Sequence, residues 1–147
     1  MTEVTFTLNG KIIAVKCVPG TTLLEYLRQL EMYSVKYGCD DGTCGACTVL
    51  IDGKTQNACL TMVGTLQGKT IDTLEGLNEQ KLVKSIQERF LTEGAIQCGY
   101  CTPGMILSLT ALLRENEEPS EVDIRDAISG NYCRCTGYVK PIKAMLK

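Results

Sequence analysis

Eight of the nine cysteines in this chain fall in two tight groups, and thiolates at such spacings hold metal. The upstream group, GCDDGTCGAC, sets Cys39, Cys44 and Cys47 in the pattern C-x4-C-x2-C, with Cys59 twelve positions on. That is the plant-type pattern for a [2Fe–2S] cluster. Gly38, Gly42 and Gly45 interleave these ligands, and glycine permits the backbone conformations by which a short loop wraps a cluster and aims N–H groups at sulfur. A structural zinc site is the alternative, but zinc motifs favour close cysteine pairs set well apart, not three ligands in one glycine loop.

Downstream, Cys98 and Cys101 form C-x2-C in QCGYCTP, while Cys133 and Cys135 form C-x-C in GNYCRCTG. Four thiolates in this arrangement can hold zinc or iron equally well. Local structure favours iron. Thr102 is a natural N-cap with Pro103 at the first helical position, so Cys98 and Cys101 precede a helix N-terminus, whose partial positive charge favours a centre that grows more negative on reduction. Thr136 is a second candidate cap beside Cys135, although Pro141 gives the last helix another place to start and would leave Tyr138 in a loop. Cys17 is left over. It sits on an alternating strand with Ile13 and Val15, where a small apolar core residue belongs.

The rest of the composition narrows the chemistry. The 147 residues contain no histidine, which removes Cys2His2 zinc sites, Rieske clusters and every catalytic Ser-His-Asp or Cys-His arrangement. A net charge of −2 provides no basic stripe for nucleic acid or an anionic membrane. No apolar run approaches a membrane span, and MTEVTFTLNG lacks the marks of an export signal, so the expected location is the cytoplasm. In that reducing compartment dense cysteine means metal-bound thiolate more often than disulfide.

Elements that position the cysteines follow from periodicity. VTFTL, Asn9-Gly10 and KIIAVKCV make a hairpin, and TVLI and KTQNA flanking Asp52-Gly53 make another. Between them, Thr22 and Glu25 have capping-box spacing, with Leu23, Leu27 and Leu30 on one helical face; KTIDTL supplies a last strand. After Gly76 the period becomes helical: Leu82, Ile86 and Phe90, then Met105, Leu109, Leu112 and Leu113. A third helix follows Ser120, with Asp123 completing its capping box, Val122, Ile124, Ala127 and Ile128 inside, and Gly130 at its end; Ile142, Met145 and Leu146 mark a fourth. The expected division is a strand-rich lobe over 1–76 and an all-helical lobe over 77–147. Each is small enough for a metal staple to matter.

Together GCDDGTCGACTVLIDG with Cys59 in NACL, AIQCGYCTPGM and SGNYCRCTGY resemble the small iron–sulfur subunit of the molybdenum hydroxylases, the xanthine dehydrogenase family, over essentially the whole chain. The resemblance implies an α+β chain. Its N-terminal β-grasp domain, like plant ferredoxins, would hold one [2Fe–2S] through Cys39, Cys44, Cys47 and Cys59, and its C-terminal four-helix bundle a second through Cys98, Cys101, Cys133 and Cys135. It implies two partners, a large subunit carrying molybdopterin and a medium subunit carrying FAD, in a heterotrimer able to dimerise. Single electrons would pass from molybdenum through the helical-domain cluster and the ferredoxin-like cluster to the flavin, with Gln97 and Cys135 beside the pterin. Read from its residues alone, Gln97 is a polar helix-end side chain. The motifs depart from the family in Asp40-Asp41-Gly42-Thr43, where Glu-Gly is frequent, and in Tyr132, where Leu is commoner; neither change touches a ligand.

Two other functions fit parts of the pattern: a free two-cluster ferredoxin-like carrier, and a structural zinc or disulfide protein. The second lobe, which a shuttle does not need, counts against the first. The substrate is expected to be a purine or related N-heterocycle on family frequency, since the discriminating pocket lies in another chain.

Overall fold

A computed structural model of the chain describes residues 1–146. Its first element is the hairpin of β1 (Thr2–Leu8) and β2 (Lys11–Cys17), closed by Asn9 and Gly10 at φ of 49° and 79°. Positive φ at both turn residues matches the turn's twist to that of the strands, which is why Asn-Gly is favoured there. The register pairs Val4 with Val15 and Phe6 with Ile13, so Val4, Phe6 and Leu8 share one buried face with Val15 and Cys17. Cys17 is a core residue, as its place in the alternation predicts.

Helix α1 (Leu23–Gln29) starts at the expected reciprocal cap: the Thr22 hydroxyl accepts from the Glu25 N–H, and the Glu25 carboxylate accepts from the Thr22 N–H. Leu23, Leu24 and Leu27 drive it onto the sheet, where Tyr26 meets Phe6 edge-on at 6.2 Å; Leu30 lies past the helix and is partly exposed. A second hairpin, β3 (Thr48–Ile51) and β4 (Lys54–Asn57), turns at Asp52 and Gly53 with φ of 50° and 80°. Strand β5 (Thr70–Asp72) then inserts between the hairpins, parallel to β1 and antiparallel to β3. The sheet order β2-β1-β5-β3-β4 with α1 on one face is a β-grasp.

A one-turn helix, α2 (Leu74–Leu77), leads into α3 (Lys81–Glu93), α4 (Thr102–Glu115), α5 (Glu121–Ile128) and α6 (Val139–Met145). The last four are the expected bundle. Gly94 closes α3 in the left-handed conformation, and Ser120 with Asp123 caps α5 reciprocally. Three local expectations change. Thr102 is the first residue of α4 rather than its cap, because the backbone after Gly99 winds straight into the helix and Cys101 itself takes the cap position. Helix α6 begins at Val139, after Tyr138 at φ 67°, with neither Thr136 as its cap nor Pro141 as its start. Pro141 fits in the first turn, where its missing N–H costs nothing. Val122, expected inside α5, is 64% exposed and leaves Ile124 and Ile128 as the inner face; Leu146 is likewise largely exposed.

The lobes share a packed seam. Leu50 of β3 is fully buried in the helical lobe's core, where β3 packs on α4, although its neighbour Val49 faces the sheet's own core. A strand with both faces covered explains why TVLI reads as a continuous apolar run. Leu50→Ala should therefore cost about 2–5 kcal/mol in denaturant unfolding, because it opens a cavity between lobes. Ile12→Ala, at a position 78% exposed on β2, should leave the unfolding midpoint nearly unchanged. Equal effects of the two would contradict this packing.

Candidate metal centres

The loop of residues 38–47 carries Cys39, Cys44 and Cys47 from α1 to β3, and Cys59 enters from a single 3-10 turn, Ala58–Leu60, after β4. Backbone N–H groups point at the sulfurs: Cys44 N–H donates to Cys39 Sγ at 3.3 Å, Ala46 N–H to Cys44 Sγ at 3.4 Å, and Cys59 N–H to Cys47 Sγ at 3.5 Å. Such donors stabilise negative charge on sulfur and so set potential in an iron–sulfur centre. Two glycines make the wrap possible. Gly42 holds φ 78° under the Leu60 side chain, and a Cβ at Gly38 would lie 2.8 Å from Cys44 Sγ. The Asn57 amide pins the loop by donating to the Gly42 carbonyl at 2.9 Å.

Backbone N–H groups join the four cysteines of this group two by two, Cys44 N–H on Cys39 Sγ and Cys59 N–H on Cys47 Sγ. Charge interaction links Cys59 to both members of the other pair. A two-iron group asks for this division, two terminal thiolates on each iron. Among the described residues no three Cys, Asp or Glu side chains converge as a single bound ion would require. Burial pushes the Cys59 thiol up to about 11, with Cys47 beside it adding to the rise. Burial also raises Cys44, whereas the Cys44 N–H lowers Cys39.

The second group is built at the start of α4. Gly99, at φ 79°, turns the chain between Cys98 and Cys101, and Cys101 sits on the N-terminus of a 14-residue helix. Its partner segment is the loop between α5 and α6. There Cys133 Sγ receives the Thr136 N–H at 3.4 Å and lies 3.0 Å from the Thr136 hydroxyl, while the Tyr138 hydroxyl accepts from the Cys133 N–H at 2.9 Å. The Cys101 and Cys133 thiols are near enough to influence each other's protonation. Burial pushes Cys101 up to about 12; burial acts on Cys133 too, but hydrogen bonding by Thr136, together with Cys135 and Cys101, outweighs it and lowers that thiol. Cys98 and Cys135 are exposed, and Gln97 Nε2 donates to the Cys135 carbonyl at 3.2 Å. All eight cysteines singled out in the sequence thus fall into two sets, one per lobe, and Gln97 joins the second.

Sequence reasoning missed the residues that organise these loops at long range. Asn131 lies inside a motif already noted, yet nothing in its neighbours signals that its amide reaches Gly45 in the other lobe. Tyr138 figures in the sequence only as a residue left in a loop by a helix starting at Pro141; its hydroxyl bonds the backbone of Cys133. Tyr37 and Tyr100, whose hydroxyl donates to the Tyr37 carbonyl, bridge the two cysteine loops at the surface.

A chain with one thiol quartet in a β-grasp and another in a helical bundle has the build of a tandem iron–sulfur protein. Residues 6–72 match the family model of the 2Fe-2S iron-sulfur cluster binding domain, and residues 73–146 that of the [2Fe-2S] binding domain. The "Xanthine dehydrogenase iron-sulfur-binding subunit" of Escherichia coli O157:H7 is 44% identical over 95% of this chain and 89% of its own length. In the crystal structure of quinoline 2-oxidoreductase from Pseudomonas putida 86, a chain 38% identical superposes with a TM-score of 0.92, covering 99% of this chain and 91% of that one. The aldehyde oxidoreductase from Desulfovibrio desulfuricans ATCC 27774 gives 0.90 at 40% identity, and there this chain spans only 17% of a longer polypeptide. The chain belongs to the xanthine dehydrogenase family of oxidoreductases, as its iron–sulfur subunit.

Two outcomes follow from the site. Gly42→Val forces a branched side chain to φ 78° and displaces Leu60; strain of about 1–3 kcal/mol should empty the first centre and take iron from about four toward about two per chain. Unchanged iron would contradict the glycine's role. Because burial holds the Cys59 and Cys101 protons up to about 11 and about 12, metal must displace them. Iron uptake by the metal-free chain should quicken as pH rises and release protons in weakly buffered solution, and a rate independent of pH would count against it.

Proposed function

We propose that the chain relays single electrons between a molybdopterin-bearing partner subunit and an FAD-bearing one while the complex hydroxylates an organic substrate. When bound, each [2Fe–2S] cluster supplies a one-electron carrier. Cys39, Cys44, Cys47 and Cys59 would hold the first; Cys98, Cys101, Cys133 and Cys135 would hold the second. The row of backbone N–H donors on the cysteine sulfurs of the first lobe, with the Thr136 N–H on Cys133 in the second, carries this reading.

The chain's own groups divide the work. N–H donors at Cys39, Cys44 and Cys47 and the Thr136 pair at Cys133 offset the charge each centre gains on reduction. The α4 N-terminus adds its partial positive charge at Cys101. Exposure of Cys98 and Cys135 leaves the second centre's edge open to a docked donor. Gln97, held on the Cys135 carbonyl, would lie beside the pterin of the large subunit. On the other lobe, the half-buried Cys39 and Cys59 would face the flavin partner.

The assembly is proposed as a heterotrimer, able to dimerise, working in the cytoplasm. Among the described residues no helix is long and apolar enough to cross a membrane. The relatives act on xanthine, quinoline and aldehydes by their names. A purine or related N-heterocycle is the substrate proposed for this complex, chosen by a pocket in the large subunit.

Cysteine replacement tests the ligand sets. Cys44→Ser should abolish the first centre's paramagnetic signal and keep the second's, Cys133→Ser should do the reverse, and Cys17→Ala should keep both. Loss of a centre from Cys17→Ala, or a colourless parent protein holding zinc, would contradict the assignment. Affinity purification from the native host should bring down a molybdenum-containing and a flavin-containing chain; isolation as a lone soluble monomer would favour a free carrier.

A further inference from the structure

The loop between α5 and α6 folds back on one cysteine of the second centre. Cys133 Sγ meets both polar groups of Thr136, the backbone N–H at 3.4 Å and the hydroxyl at 3.0 Å. Tyr138 closes the segment from its other end. Its N–H donates to the Thr136 hydroxyl oxygen at 3.2 Å, and its own hydroxyl accepts from the Cys133 N–H at 2.9 Å. Gly137 and Tyr138 take φ of 59° and 67°, and these two successive left-handed residues turn the Tyr138 N–H back onto Thr136. A non-glycine residue holds that conformation where surrounding contacts enforce it, and here the bond to Cys133 does so.

The direction of the Thr136 contact follows from protonation. Between a thiol and a hydroxyl either group can donate. A cysteine that ligates metal is a thiolate with no proton to give, so with Cys133 on iron only the Thr136 hydroxyl can be the donor. The Tyr138 N–H reinforces that direction. It occupies a lone pair of the hydroxyl oxygen, and a hydroxyl that accepts one hydrogen bond becomes a better donor of the next. A donor facing an ionised acceptor makes a stronger bond than one facing a neutral group. On reduction the sulfurs grow more negative, so the reduced state gains more from the hydroxyl than the oxidised state does.

The two centres differ here. In the first group the donors to Cys39, Cys44 and Cys47 are all backbone N–H groups. Among the described residues Thr136 supplies the only side-chain hydroxyl on a sulfur of either group. Backbone donors come with the fold whatever the side chains are. A hydroxyl depends on the identity of one residue, which makes position 136 a place where the sequence can set one centre's potential and leave the other's alone.

We infer that the Thr136 hydroxyl, polarised by the Tyr138 N–H, is a tuning donor that raises the potential of the second centre and so favours the arrival of an electron there. The inference rests on the ligand sets and the relay proposed above. In the step it serves, a docked donor is oxidised by one electron and the second centre is reduced by one; no bond is made or broken, and the Thr136 proton stays on its oxygen.

The test uses the intact chain loaded with both clusters, in parent, Thr136→Val and Thr136→Ser forms. Valine keeps the shape and the backbone N–H and loses only the hydroxyl, whereas serine keeps the hydroxyl. Redox titration followed by electron paramagnetic resonance reads each centre separately. With iron content unchanged, Thr136→Val should lower the reduced-to-oxidised ratio of the second centre about tenfold at a fixed applied potential, the scale of one hydrogen bond to a charged group and equal to about 59 mV for one electron. The first centre should titrate as in the parent, and Thr136→Ser should restore the parental value. A hydroxyl that only tied the loop would not move the potential, so a parental second centre in Thr136→Val would overturn the inference, as would a serine variant as low as the valine one. If valine costs the chain its second centre, Thr136→Ala, which cannot crowd the loop, decides by the same measurement. If alanine does so too, the parent decides alone: its reduced second centre should couple magnetically to a proton that exchanges rapidly on transfer to deuterated water, as a hydroxyl does and a hydrogen-bonded amide does not, and the absence of such a proton would overturn the inference. A parent with no second diiron signal would instead sink the ligand assignment.

Discussion

Thiolates placed side by side repel one another, and the arrangement of this chain follows from the need to hold them together anyway. Without metal, burial and mutual proximity keep Cys59 and Cys101 protonated up to about 11 and about 12. The fold then supplies what a cluster would need to displace those protons: backbone N–H groups aimed at sulfur, a helix N-terminus, and glycines that remove every Cβ that would stand in the way. Lobes this small bury modest cores, so bound metal would contribute to folding as well as to redox chemistry.

From that constraint comes the two-lobe architecture. A β-grasp offers a long loop between helix and strand that can curl around one cluster, while a helical bundle brings two short cysteine segments together at adjoining helix ends. Each solves the ligand problem separately. The seam makes one structure of them: Leu50 contributes its side chain to the helical core, and Asn131 spans the gap between the cysteine loops. In the relay proposed above, small relative motion of the lobes would change the distance an electron must cross, which a tightly packed, hydrogen-bonded seam would prevent. Among the described residues no buried side-chain N or O lacks a partner, which fits that rigidity.

How much of this was legible in the sequence depended on range. Both Asn-Gly and Asp-Gly hairpins, both capping boxes and the placement of Cys17 could be read locally, because turn chemistry and alternation act within a few residues. Cap positions near the second centre could not. Cys101 rather than Thr102 takes the α4 cap because Gly99 lets the chain coil early, a tertiary choice that overrides the threonine's local preference. Val122 follows the helical period yet faces outward, since the seam and the rest of the bundle cover only the Ile124 side of α5. Asn131 was invisible for a stronger reason: its partners in the other lobe lie more than eighty positions away.

Anaerobic redox titration of the purified subunit, followed by electron paramagnetic resonance, tests the central claim most directly. Two bound diiron centres predict two distinct signals appearing at separate potentials, each integrating to about one spin per chain. A single signal at full reduction, or none, would contradict the account.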